Sequence, residues 1–133
     1  EVRADMLYSR ARLALAAANH DYQPQLIQRA VSDARALIRE GMPYTVALGN
    51  LVLAGAASFE DRAEAMRRLH EVEPQFLAAD MQLHAEVARA RRAELSVAAD
   101  ADVSRSTALR AIQALGAKRP EAFVQILAPI KRP

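Results

Sequence analysis

Cysteine and tryptophan are absent from this 133-residue sequence, and glycine occurs only four times. The lack of cysteine excludes a disulfide-stapled fold, a thiolate zinc site and a cysteine nucleophile. The four glycines are too scattered to form a loop that cradles a phosphate group. Aromatic residues make up only 5% of the chain. These shortages argue against sandwiches, barrels and glycine-rich nucleotide-binding folds.

Alanine is the residue in excess, at 30 of 133 positions. It is the strongest helix former, so the composition predicts an all-α protein. Hydrophobic residues make up 52% of the chain and the mean hydropathy is -0.08, values typical of a soluble protein with a substantial core. The length fits one ordinary domain. We therefore expect residues 1–133 to form a single all-helical domain.

The charge balance is nearly even but unevenly distributed. Sixteen arginines and two lysines stand against 16 acidic residues, for a net charge of +2. Residues 85–133 hold nine basic and five acidic residues, a bias that is compatible with nucleic acid without specifying it. The opening Glu-Val-Arg-Ala-Asp lacks the apolar core of a signal peptide. We expect a cytoplasmic protein, and interpret the chain as a piece of a longer polypeptide.

Residues 41–59 carry no charged side chain over 19 positions, close to the length of a membrane span. Pro43, Gly49 and Gly55 interrupt this stretch, and its apolar core, residues 46–57, has only 12 residues. The pattern favours a buried central helix, with no membrane association.

Prolines mark the expected helix starts, because proline is well tolerated at the first helical position. Connections of two to six residues require sequential helices to pack as antiparallel hairpins. Apolar spacing predicts seven or eight helices: residues 2–19, 24–40 and 43–56, a fourth capped by Ser58, 74–95, a short piece at 96–101, one capped by Asp102 or Ser104 and ending at 115, and a last from 120 to 129.

Catalytic and metal-binding patterns are missing from the chain. No serine lies in a nucleophile-elbow context, and the three histidines form no i,i+4 pair. Asp80 and His84 are four residues apart on one predicted helix, but a third metal ligand is not evident. We predict a non-enzymatic domain without metal or cofactor, with a small enzyme or a ligand-sensing pocket as a third possibility.

The hairpin rhythm resembles tetratricopeptide repeats, whose units are two antiparallel helices over about 34 residues. Tyr22 and Phe59 stand where that family has an aromatic residue in the inter-helix turn. The later pattern positions are matched by Met66, Leu69 and Pro74, and the second-helix spacing by Ala108, Ile112, Leu115 and Pro120. The resemblance implies a helical-hairpin array, and an irregular helical bundle is the alternative.

Residues 97–112 resemble the helix-turn-helix of lactose-repressor-type regulators. Ala98 and Ala101 match the small residues of the first helix, Val103 and Ser104 the exit from the turn, and Thr107 the start of the recognition helix. The resemblance implies a DNA-binding transcriptional regulator. It would direct the side chains of Arg105, Ser106 and Arg110 toward the major groove.

A protein partner is the function that we favour over DNA. The predicted fifth helix has more apolar residues than one stripe needs, and three arginines collect at its end. An apolar strip with a basic rim suits an amphipathic, acid-flanked peptide or helix in an inter-helix groove. The candidate partner-binding residues are Phe76, Leu83, Arg89, Arg91 and Arg92. The sequence does not indicate the oligomeric state.

Overall fold

The computed structural model describes all of residues 1–133, of which 78% are helical, and contains no strand. The expected all-α fold is confirmed, with the lower of the two expected helix numbers. The seven helices are α1 (Val2–His20), α2 (Pro24–Glu40), α3 (Pro43–Ala57), α4 (Arg62–Ala78), α5 (Gln82–Leu95), α6 (Ala101–Ala114) and α7 (Pro120–Leu127).

The first three helices begin and end within one residue of their expected bounds. Pro24 and Pro43 occupy first-turn positions of α2 and α3, where a missing N–H costs no helical hydrogen bond. Gly41 ends α2 with φ 77°, and its N–H donates to the carbonyl of Ile38. This left-handed conformation is the one that glycine adopts most readily, so local chemistry explains where α2 stops.

Helix α3 is the central element, as its uncharged sequence predicts. Nine of its 15 residues are buried, and it packs against α1, α2 and α4. A Cβ at Gly49 would lie 2.6 Å from the carbonyl oxygen of Ala34, so α2 and α3 are in direct backbone contact. None of the seven helices has the combination of length and apolar character needed to cross a bilayer.

The prediction of one continuous helix from Pro74 to residue 95 is wrong. Helix α4 continues through Pro74 to Ala78, and a turn at residues 79–81, with Asp80 at φ 60°, separates it from α5. Pro74 is exposed and its lack of an N–H removes one helical hydrogen bond. Packing of α4 against α3 and α5 maintains the helix despite that loss.

Two expected caps and one expected helix are also corrected. Asp61, not Ser58, is the N-cap of α4, and its carboxylate accepts from the N–H of Glu64. Ser58 is the C-cap of α3. Residues 96–100 form a connection rather than a helix, and α6 begins at Ala101, so Asp102 and Ser104 lie inside it.

Consecutive helices pack against one another through connections of two to five residues, and α7 packs on α5 and α6. One continuous core runs through the molecule. Its largest fully buried side chains include Leu15, Leu37, Leu69, Phe76 and Ile112. Residues 128–133, here called the tail, follow α7 and cross the array of helices to contact α1.

Candidate interaction sites

The structure does not bring the expected partner-binding residues together as one surface. Phe76 lies on α4 and is fully buried, with its ring 5.2 Å from that of His84. Leu83 lies on α5 and is half-buried. The turn at residues 79–81 places Phe76 and Leu83 on different helices. Because Phe76 is buried in the core, it is not available to a partner.

The arginines at the end of α5 are already paired. Arg89 contacts Glu73 at 2.6 Å and Glu86 at 2.7 Å, and Arg92 contacts Glu73 at 3.4 Å. Arg91 is only 8% exposed and contacts Glu94 at 2.6 Å. The expected basic rim is therefore compensated by carboxylates, and Arg91 is a buried structural residue rather than an exposed contact.

The residues expected to read DNA all lie on one uninterrupted helix, α6. Residues 102–104, where the resemblance places the turn, are helical, so the two-helix geometry is not formed there. The guanidinium of Arg105 contacts Glu94 at 3.3 Å, while Ser106 and Arg110 are exposed. The segment thus lacks the turn that would aim a recognition helix into a groove.

A different site is formed where the tail crosses α1, and Asn19 is at its centre. The side-chain amide of Asn19 donates to the carbonyl of Ile130 at 2.6 Å and accepts from the N–H of Arg132 at 2.9 Å. A single asparagine thereby satisfies two main-chain groups of an extended segment. Neither bond involves a tail side chain.

Further main-chain contacts hold the tail and Leu127, the residue just before it. Tyr8 on α1 donates its hydroxyl to the carbonyl of Leu127 at 2.6 Å. Arg91 on α5 donates to the carbonyl of Ala128 at 2.7 Å. After α3, the hydroxyl of Ser58 accepts from the N–H of Lys131 at 2.7 Å. We call the residues that contact the tail or Leu127 just before it, namely Tyr8, Asn19, Gly55, Ser58 and Arg91, the tail seat.

Gly55 permits the closest approach between the tail and α3. A Cβ at this position would collide with the carbonyl oxygen of Pro129 and lie 2.8 Å from Leu15. Pro129 and Ile130 are buried against the array, whereas Lys131 and Arg132 are exposed. The seat therefore encloses a short apolar stretch and leaves the basic end in solvent.

Aromatic packing supports the α1 side of the seat. His84 lies between Phe76 and Tyr8, and the centroids of the His84 and Tyr8 rings are 6.4 Å apart. Burial, with a smaller contribution from the positive charge of Arg12, lowers the pKa of His84 to about 4. Burial also raises the pKa of Tyr8 well above its usual range. Both side chains are therefore neutral near pH 7, and Tyr8 keeps the proton of its hydrogen bond to Leu127.

Sequence reasoning missed the seat because its parts are far apart in the chain. The sequence pattern places Asn19 at the end of the first helix and Pro129 at the end of the last, and both of these are ordinary local interpretations. Tyr8 and Asn19 are two of several polar residues on an alanine-rich helix, so neither stands out in the sequence. No local pattern pairs them with residues more than 100 positions away.

The structure contains no group of three or more histidine, aspartate or glutamate side chains placed to hold a metal ion. Comparison with known proteins finds no family model, curated protein or solved structure that matches this chain.

Proposed function

We propose that this domain is a non-enzymatic protein-interaction module whose tail seat binds an extended peptide segment. The observation that carries the proposal is the tail itself, which occupies the seat as an extended segment held by Asn19, Arg91 and Ser58. Main-chain hydrogen bonds supply affinity that does not depend on the side chains of the bound segment.

Selectivity in this proposal comes from space rather than charge. Because Gly55 has no side chain, the backbone of the bound segment can lie directly against α3. The residues buried there are Ala128, Pro129 and Ile130. A suitable partner segment therefore carries a small residue, a proline and a β-branched residue in that order. A basic residue after them remains in solvent, as Lys131 does.

The tail competes with any incoming segment because both need the same seat. A tethered segment has an effective concentration of roughly millimolar. A partner of equal intrinsic affinity therefore binds weakly until the tail is loosened. This competition makes the proposal testable in the full chain.

The test compares two isoleucine variants of the full chain. Ile130→Ser loosens the tail by removing a buried side chain, whereas Ile126→Ser changes a side chain that is 60% exposed. A fluorescent peptide with the sequence of residues 128–133 is titrated into each by anisotropy. We expect about tenfold tighter binding to Ile130→Ser than to the wild type, and no change for Ile126→Ser.

A second substitution shows whether the peptide uses the seat. Adding Asn19→Ala to Ile130→Ser removes both amide contacts and should weaken peptide binding about tenfold. The proposal fails if folded Ile130→Ser binds the peptide no better than the wild type. It also fails if Asn19→Ala has no effect on binding.

Unlike peptide binding at the tail seat, the alternative function, DNA binding, is not supported by a site that already holds a bound segment. Its surface residues are the exposed Ser106 and Arg110 on α6. We expect any duplex binding to be weak, insensitive to sequence and lost as salt rises. Specific duplex binding at nanomolar level in physiological salt would reverse this ranking.

A further inference from the structure

A second groove lies between α2 and α4, with α3 as its floor. It has a volume of about 530 Å³, and Leu53, Ala56 and Ala57 of α3 form the apolar base. Leu53 and Gly55 are two residues apart and so project from opposite sides of α3. The groove is thus separate from the tail seat. We call it the α2–α4 groove.

The α2 wall of this groove combines two apolar residues, Ile27 and Val31, with a polar and positively charged row. Gln28, Ser32 and Arg35 line it at i, i+4 and i+7, the spacing of one helix face. Arg39 lies one turn further along the same face and is exposed. Neither Arg35 nor Arg39 has a carboxylate partner, although ten ion pairs form elsewhere in the molecule. Arg35 and Arg39 thus carry unpaired positive charge, unlike the arginines of α5.

The facing wall carries acidic groups. Glu64 is paired with Arg68 at 3.0 Å and also with Arg67. Glu60 lines the groove, is exposed and has no ion-pair partner. Arg68 also lines this wall and compensates Glu64, so the unpaired charge here is the negative charge of Glu60, opposite in sign to that of Arg35. A nucleic acid would bring its phosphates close to the unpaired carboxylate of Glu60, so this arrangement disfavours it.

We propose that the α2–α4 groove binds an amphipathic helix of a partner protein that is acidic along one flank. Its apolar side chains contact Leu53 and Ala57, and its carboxylates pair with Arg35 and Arg39. A basic residue on its other flank faces Glu60. The reversal of charge across the groove fixes which flank of the helix lies against α2. This inference is independent of the peptide bound at the tail seat.

The experiment uses two synthetic helical peptides with identical leucine faces and the full wild-type chain. One peptide carries glutamates on the flank that meets α2, and the other carries lysines there. Anisotropy titration should show micromolar binding of the glutamate peptide, weakening as salt rises. The lysine peptide should bind at least about tenfold more weakly. Equal binding of the two peptides, or no binding of the glutamate peptide at about 100 µM, overturns the proposal.

Variants of α2 then locate the contact. Arg35→Glu should weaken the glutamate peptide about tenfold and strengthen the lysine peptide, a reversal that misfolding cannot produce. Arg29→Glu is the matched control, because Arg29 is exposed on α2 but does not line the groove. The proposal is overturned if both variants act alike, or if light scattering shows that a second copy of the chain fills the groove. It is also overturned if duplex DNA binds more tightly than the glutamate peptide and Arg35→Glu abolishes the binding of DNA.

Discussion

His84 shows how the environment of one residue sets its charge. The imidazole has neighbouring aromatic rings on two sides, from Tyr8 and Phe76. Arg12 places its guanidinium 4.3 Å from the centre of the Tyr8 ring, and this positive charge also disfavours a charged histidine. At neutral pH the histidine therefore packs as an apolar side chain would. Protonation would put a charge in a place with no compensating carboxylate.

This arrangement predicts acid sensitivity. The pKa of His84 falls from 6.5 to about 4 on folding, so the unfolded chain binds more protons between these values. The stabilisation from neutral His84 is complete above pH 6.5 and is lost as pH falls toward 4, by about 3 kcal/mol at most. Urea unfolding across this range should show a smaller decline in His84→Gln than in the wild type. His70→Gln, at an exposed histidine, is the control, and parallel curves for His84→Gln and wild type would contradict the assignment.

At the scale of elements, helix ends were predictable where one residue decides the backbone conformation. Gly41 stops α2 and Pro43 starts α3, so both bounds follow from local chemistry. The α4–α5 turn instead has Asp80 at φ 60° and no glycine. Because the stronger punctuation signal, Pro74, lies inside α4, sequence reasoning placed the break in the wrong position. Tertiary packing decided this boundary.

Pro74 should therefore reduce the stability of α4. In Pro74→Ala, a restored N–H can donate to the carbonyl of His70, four residues earlier. We expect the free energy of unfolding to rise by about 2 kcal/mol. Pro24→Ala, at the first position of α2, should change it by less than about 1 kcal/mol. Chemical denaturation of both variants measures the difference, and an equal effect would show that α4 does not gain this bond.

Helix α3 gives a second test at this scale. Leu51 is 2% exposed, whereas Leu13 on α1 is 71% exposed. Leu51→Asp would bury an unpaired charge and should lower the free energy of unfolding by about 3 kcal/mol or more. Leu13→Asp should change it by less than about 0.5 kcal/mol. Hydrogen exchange should likewise find the slowest amides in α3. If Leu51→Asp is no less stable than Leu13→Asp, then α3 is not the central element.

At the scale of the whole molecule, the tail adds bonds between helices that are far apart in the sequence. Each hairpin of an array contacts mainly its neighbours, so stability tends to be a sum of local terms. Here the tail bonds to α1 through Asn19 and to α5 through Arg91. It also contacts Ser58 between them. These bonds should make the three regions unfold together.

Two asparagine variants separate that linkage from ordinary stability. Asn19→Ala removes tail contacts, whereas Asn50→Ala removes only a bond of 2.9 Å to Gln75 between neighbouring helices. Each should lower the free energy of unfolding by about 1–2 kcal/mol. Only Asn19→Ala should broaden the denaturation transition, which is read from its slope. Equal slopes would mean that cooperativity does not depend on the tail.

The tail also determines the order of folding events. Its bonds to α1 join residues 111 and 113 positions apart, while the helical hairpins are made of contacts close in sequence. Local contacts form fast, and long loops close late because their entropy must be overcome first. We therefore expect the hairpins to assemble before the tail docks, and the tail to be the first segment to leave when the molecule opens. In that order of events, the seat is vacant before the last step of folding and after the first step of unfolding.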